Sequence, residues 1–204
     1  SINRTNVRFL EQRGNMRIIY HVDVNSAFLS WEAVYRIHHL GAKLDLRTIP
    51  AAVGGDQAKR HGIILAKSIP CKRYGVQTGE PVVDAKRKCP DLVIVPPNYE
   101  LYNKSSKAFI SVLKRYTDKV EQYSIDEAFL DLSGMGTSEQ LSAYCRKMVK
   151  HIGKGTGIPI SLGIAPTKTL AKMASKFAKK YKGYEGVCLI DTEEKREKAL
   201  KLFP

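Results

Sequence analysis

Three acidic residues in this chain are of the type and spacing that do chemistry together: Asp23, and the adjacent pair Asp126 and Glu127. Two carboxylates at a hairpin turn and a third at the end of a neighbouring strand can hold two divalent ions about 3.5–4 Å apart and bridge a triphosphate. Mg²⁺ is the default metal for such oxygen ligands, with Mn²⁺ the substitute. One ion would lower the pKa of an attacking hydroxyl, and the other would neutralise charge on the leaving pyrophosphate. Asp23 also opens the stretch Asp23-Val24-Asn25-Ser26-Ala27-Phe28, which passes from a strand into a helix start, where backbone amides can hold phosphate oxygens. The Val24 carbonyl could serve as a further metal ligand, Phe28 could pack beneath a sugar, and the Lys168 ammonium could reach a phosphate. Taken singly, each has an ordinary reading: a polar turn, a strand-end cap, a core aromatic, an exposed lysine at a helix start. Their joint reading depends on a fold that gathers the acids.

The hydrophobic pattern supplies such a fold. Arg17 to Val24 is a short β-branched run that reads as a buried strand. Pro97-Asn98 offers a helix start, and Leu101, Ser105, Ala108, Phe109, Val112, Leu113 and Tyr116 recur at helical spacing. Val120 to Ile125 and Ala128 to Leu132 read as a hairpin turning at Asp126-Glu127. A second helix follows, with Thr137 and Gln140 at capping-box spacing and Gly153 as its expected end, then a strand from Ile158 to Ala165. The order βαββαβ is the ferredoxin-like unit, an α+β fold. Its right-handed crossover puts the end of the first strand and the hairpin turn on one sheet edge, which brings Asp23 beside Asp126 and Glu127 across about a hundred residues of sequence.

About seventy residues lie between the first strand and its helix, too many for a loop, so they are expected to form an inserted small α/β subdomain. Within it the pattern predicts a helix over Phe28–Leu40, strands near Ala51–Gly54 and Ile63–Ala66, and a short helix over Pro81–Cys89. Beyond Ala165, Leu170, Met173, Ala174 and Phe177 mark one helical face, while Lys168, Lys172, Lys176, Lys179 and Lys180 crowd the other.

The 204 residues suffice for a sizeable core, and 43% hydrophobic content excludes a disordered chain. No run approaches the ~20 apolar residues of a membrane span. Cys71, Cys89, Cys145 and Cys188 form no CxxC pair, which suggests neither zinc nor a disulfide framework and points to a reducing, cytoplasmic setting. The net charge of +14 favours a polyanionic partner, nucleic acid first. Residues 1–15, ahead of Met16, read as an added or variable extension, and Val187–Pro204 as one strand and the start of a helix in a truncated region.

Three segments together resemble the Y-family lesion-bypass DNA polymerases: Val22-Asp23-Val24-Asn25-Ser26-Ala27-Phe28, Tyr123-Ser124-Ile125-Asp126-Glu127-Ala128-Phe129-Leu130-Asp131, and Leu162-Gly163-Ile164-Ala165-Pro166-Thr167-Lys168-Thr169-Leu170-Ala171-Lys172. The Ser-Ile-Asp-Glu-Ala segment is the most specific. The resemblance implies a palm over 16–27 and 98–175, fingers over 28–97, and the start of a thumb over 176–204, with a little-finger domain absent. It implies that Asp23, Asp126 and Glu127, with the Val24 carbonyl, are metal ligands, and that Phe28 is a steric gate against ribonucleotides. Ser26, Ala27 and Lys168 would contact the incoming triphosphate, and Ser124 and Asp131 would support the geometry.

The fingers depart from the family pattern. Where many members carry Tyr-x-x-Arg, this chain has Ile69 and Lys72, so a hydroxyl and a bidentate fork are both lost. Lys72 matches the polymerase V branch, and Arg73 is the alternative phosphate contact one residue on. The function implied is translesion synthesis within DNA repair and the SOS response, on primer-template DNA with deoxynucleoside triphosphates, with a sliding clamp engaged through a region beyond this chain. A nucleotide cyclase shares the palm and two metals, and a non-catalytic DNA-binding accessory protein shares the fold; the Ser-Ile-Asp-Glu-Ala segment and the retained acids weigh against them.

Overall fold

The computed structural model describes residues 18–55 and 62–202. The expected extension over 1–15 lies outside them, as does the start of the first predicted strand. The chain divides into two compact units, one comprising the residues up to Asp23, Ile110–Ile152 and the residues from Ile160 on, the other Val24–Phe109 and Gly153–Pro159.

The sheet of the first unit is built from β1 (Ile19–Val24), β5 (Val120–Gln122), β6 (Glu127–Asp131), β7 (Ile160–Ala165) and β8 (Val187–Leu189), in the order β5-β6-β1-β7-β8. The first four are in the ferredoxin-like order predicted from the element sequence, and β8 adds a fifth strand parallel to β7. β1 and β6 run antiparallel in a register that sets Asp23 opposite Glu127, His21 opposite Phe129 and Tyr20 opposite Leu130. Because strand side chains alternate, Ile19, His21 and Asp23 share one face with Glu127 and Phe129.

Helix α5 (Lys168–Lys180) lies on that face. Thr167 caps it, accepting from the Leu170 amide at 3.3 Å. Its Ala171, Met173, Ala174, Phe177 and Ala178 bury against Ile19, Phe129, Ala165 and Cys188. The approach is close because β7 carries Gly163: a Cβ there would sit 2.0 Å from the Ala171 carbonyl oxygen and 2.3 Å from the Ser175 amide nitrogen. Helix α4 (Ser138–Thr156) buries Leu141, Cys145, Met148 and Ile152. Its predicted capping box forms, with the Thr137 amide donating to Gln140 Oε1 at 3.1 Å and the Gln140 amide to Thr137 Oγ1 at 3.3 Å.

Three boundaries differ from the sequence reading. Helix α4 does not stop at Gly153 but runs on to Thr156, because the left-handed exit falls on Gly157 (φ +69°). β7 starts at Ile160, after Pro159. The hairpin is longer than a two-residue turn: the Tyr123 and Ser124 amides both donate to the Glu127 carbonyl, so Glu127 is the first residue of β6.

The second unit contains α1 (Ala27–His39), β2 (Ala51–Gly54), β3 (Ile64–Lys67), a 3₁₀ turn (Ile69–Tyr74), α2 (Val82–Lys88) and β4 (Val93–Val95). These form a small three-stranded sheet, β3-β2-β4, over a core of Ala52, Ile64, Cys71, Val76, Val82, Ala85, Cys89 and Leu92. Strand β4, parallel to β2, was not evident in the hydrophobic pattern. Helix α3 (Tyr99–Leu113) starts where Asn98 Oδ1 accepts from the Leu101 amide.

Replacing Gly163 by alanine forces backbone to move, and such overpacking costs about 1–3 kcal/mol or more. Urea unfolding of Gly163→Ala should show a midpoint lowered accordingly; an unchanged midpoint would contradict the tight α5–β7 packing.

Candidate active site

Register places Asp23 and Glu127 side by side, and the hairpin turn adds Asp126 one residue before. Asp126 Oδ1 accepts from Ser124 Oγ at 2.8 Å, and the same hydroxyl lies 3.3 Å from Glu127 Oε2. Ser124 therefore braces both turn carboxylates from within the hairpin, the supporting part that its place in the motif implies.

From above, α5 lowers two lysines one heptad apart onto the same carboxylates. Lys172 Nζ stands 3.0 Å from Glu127 Oε1 and 3.2 Å from Oε2, and 4.3 Å above the Tyr123 ring. Lys179 Nζ donates to Asp23 Oδ1 at 2.9 Å. Sequence periodicity put both on the charged face opposite the core, which is correct for the backbone. Their long stems nonetheless reach round to the sheet edge, and side chains with such reach are not located by period alone.

Beneath the acids lies a residue that sequence reasoning missed. His21 is buried (1% exposed); its Nδ1 is 2.6 Å from Ser175 Oγ and its Nε2 3.1 Å from Glu127 Oε1. The only signal for it was its position two residues before Asp23 on a strand, which puts both on one face.

The electrostatics follow from this packing. Burial raises the Asp23 carboxyl above its usual pKa; Lys179 opposes the shift, while Asp126 and Glu127 add to it. Burial also pushes Glu127 upward, but the hydrogen bond and charge of Lys172, with His21 and Ser124, outweigh it and leave the carboxyl below its usual value. Burial drives the His21 imidazole down to about 4, helped by Lys172 and Lys176 and opposed by Glu127.

The donor set suits a hard divalent cation: carboxylate oxygens, with mutual repulsion at Asp23 that a cation would relieve. Among the described residues, no three Asp, Glu, His or Cys side chains converge closely enough to enclose an ion on their own. Lys172 and Lys179 each occupy one of the carboxylates.

The remaining predicted residues are distributed more widely. Lys168 does not contact the acids: its Nζ pairs with Glu121 at 2.6 and 2.7 Å and lies 5.3 Å from the Phe129 ring. In the second unit, Val24 and Ala27 are buried, and Ser26 takes a left-handed conformation (φ 46°, ψ 53°) as the cap of α1. A non-glycine residue there is uncommon and marks a constrained turn. Phe28 is half-buried and stacks on Tyr102 with centroids 4.6 Å apart, with Trp31 and Tyr99 around them. Tyr102 donates to the buried Glu32, which also accepts from Arg36. Lys72 and Arg73 are exposed on the 3₁₀ turn, Arg73 lying over the Tyr74 ring, and Ile69 is 75% exposed.

Because the folded state holds His21 unprotonated while the unfolded chain takes up a proton near pH 6.5, stability falls as pH drops from about 6.5 towards 4. His21→Gln should flatten that part of the stability–pH curve measured by urea unfolding; an equally steep slope in the variant would assign the loss elsewhere.

Comparison with known proteins places the chain in a family. Residues 22–176 match the impB/mucB/samB family. The chain is 39% identical over 188 residues to DNA polymerase IV of Clostridium acetobutylicum, covering 92% of this chain and 46% of that protein. It is 42% identical over 166 residues to DNA polymerase IV of Bacillus velezensis, covering 81% and 38%. The chain thus spans less than half the length of these curated relatives. A crystal structure of DinB from Sulfolobus solfataricus superposes with a TM-score of 0.71 at 27% identity, over 85% of this chain and 48% of that one. An insertion ternary complex of Dbh DNA polymerase gives 0.72 at 26%, over 87% and 49%. With the motifs, the sheet order and the extent of the match in agreement, the chain belongs to the impB/mucB/samB family of Y-family polymerases.

Proposed function

We propose that this chain is the catalytic portion of a template-directed DNA polymerase that carries out translesion synthesis by two-metal-ion nucleotidyl transfer. The observation that carries the reading is the β1–β6 register, which pairs Asp23 with Glu127 beside Asp126. Names of relatives and the basic charge of the chain support the same substrate class. In this reading residues 16–27 and 98–175 serve as palm, 28–97 as fingers and 176–204 as the opening of a thumb.

Asp23, Asp126 and Glu127, with the Val24 carbonyl, would hold Mg²⁺ or Mn²⁺, whose chemistry there would be to lower the pKa of the primer 3′ hydroxyl and to neutralise charge on the pyrophosphate. Ser124 keeps the two turn carboxylates in place. Backbone at Ser26 and Ala27 offers amides to the triphosphate, and Lys168, Lys72 and Arg73 offer positive charge. Phe28, held by stacking on Tyr102, is the steric gate that rejects a 2′ hydroxyl. The partners are primer-template DNA, deoxynucleoside triphosphates and a sliding clamp reached through a region outside this chain. The setting is cytoplasmic, and no helix among the described residues is long and apolar enough to cross a membrane.

Primer extension by the full-length protein tests this. Asp126→Asn and Glu127→Gln should each lower Mg²⁺-dependent extension by about a thousandfold or more on undamaged and abasic templates. Wild type that binds DNA but never extends a primer would instead favour a non-catalytic accessory role. Phe28→Ala should raise ribonucleotide use relative to deoxyribonucleotide use by at least about tenfold, read as the ratio of kcat/KM values; an unchanged ratio would remove Phe28 from the gate position.

A further inference from the structure

Helix α5 places one ammonium group on Glu127 and one on Asp23, the two residues that the β1–β6 register sets opposite each other. Each contact joins a mostly buried carboxylate to a more accessible ammonium, Lys172 being 31% and Lys179 43% exposed. The Glu127 and Asp23 side chains are only 16% and 20% exposed, and Lys172 is further held over the Tyr123 ring. Both lysines come from a helix that packs almost on the backbone of β7, where an added Cβ at Gly163 would lie 2.0 Å from the Ala171 carbonyl oxygen. Lys168, on the same helix, instead pairs with Glu121. The acids are thus neutralised by the chain's own cations, and a divalent ion seeking the same oxygens must displace them.

We propose that Lys172 and Lys179 are built-in counter-ions that hold Glu127 and Asp23 in the metal-free state and exchange with the divalent cations. The proposal rests on the reading of these acids as metal ligands. It accounts for a sheet edge that keeps adjacent carboxylates together before any metal arrives.

Mn²⁺ binding to the 204-residue chain without nucleotide or DNA, followed by the paramagnetic signal of the free ion, tests this without any activity. Lys172→Met and Lys179→Met should each bind Mn²⁺ about fivefold more tightly, the effect of removing a competing ion pair of about 1 kcal/mol. Lys172→Arg should stay at the wild-type value or weaker. Lys180→Met removes the same charge one residue further on and should tighten binding distinctly less. A second readout is independent of substitution: an amine-acylating reagent should modify Lys172 and Lys179 faster once Mg²⁺ is added.

Unchanged or weaker Mn²⁺ binding in both methionine variants would overturn the proposal, as would equal tightening by Lys180→Met, which would mean a diffuse field effect. Acylation unaffected by Mg²⁺ in a chain that binds it would also overturn it. If wild type takes up no Mn²⁺ that Asp126→Asn or Glu127→Gln abolishes, the metal-ligand reading itself fails, and the exchange with it.

Discussion

Asp23 and Glu127 are neighbours across two paired strands, and like charges so placed repel. The first unit is arranged around relieving that repulsion. Ser124 donates into the turn, Lys172 and Lys179 reach down from α5, and the buried His21 lies beneath with its Nε2 3.1 Å from Glu127 Oε1. These groups sit at the right height only because α5 lies almost on the backbone of β7, and that closeness depends on the missing side chain at Gly163. A residue far from the chemistry thus fixes how near the helix, and therefore its cations, come to the acids.

Much of this was legible in the sequence for definite reasons. Strands of β-branched residues and two amphipathic helices spell out the βαββαβ order, and the handedness of the crossover then puts Asp23 near Asp126 and Glu127. The Thr137–Gln140 cap was readable because its residue types and spacing have a single physical use. Less visible was everything decided by side-chain reach. Lys172 and Lys179 have the spacing of exposed lysines, and only the tilt and depth of α5 turn them toward the sheet. Lys168 had the better claim on paper and pairs with Glu121 instead. His21 gave only its position two residues before Asp23, and a histidine so placed on a strand looks the same whether it fills a core or supports a site.

The second unit was read more coarsely. Its helix, its first two strands and the short α2 followed the pattern, while β4 was missed because three residues, Val93-Ile94-Val95, flanked by prolines, carry too little periodicity. Gly153 has the residue type of a helix end, yet the helix passes through it, and the left-handed exit falls on Gly157. The constrained turn at Ser26 was also unreadable: serine is a common cap, but nothing in its identity announces a positive φ.

The β1–β6 pairing also bears on how the molecule comes into being. β1 is made about a hundred residues before its partner β6, so the strand that carries Asp23 waits for that length of chain before this native neighbour exists. Closing so long a loop is entropically costly and slow compared with local helix formation. Its apolar residues must be kept from other partners meanwhile, and the acidic centre forms only when the intervening residues are in place. A nascent piece that ends short of β6 therefore holds Asp23 with no Glu127 opposite it.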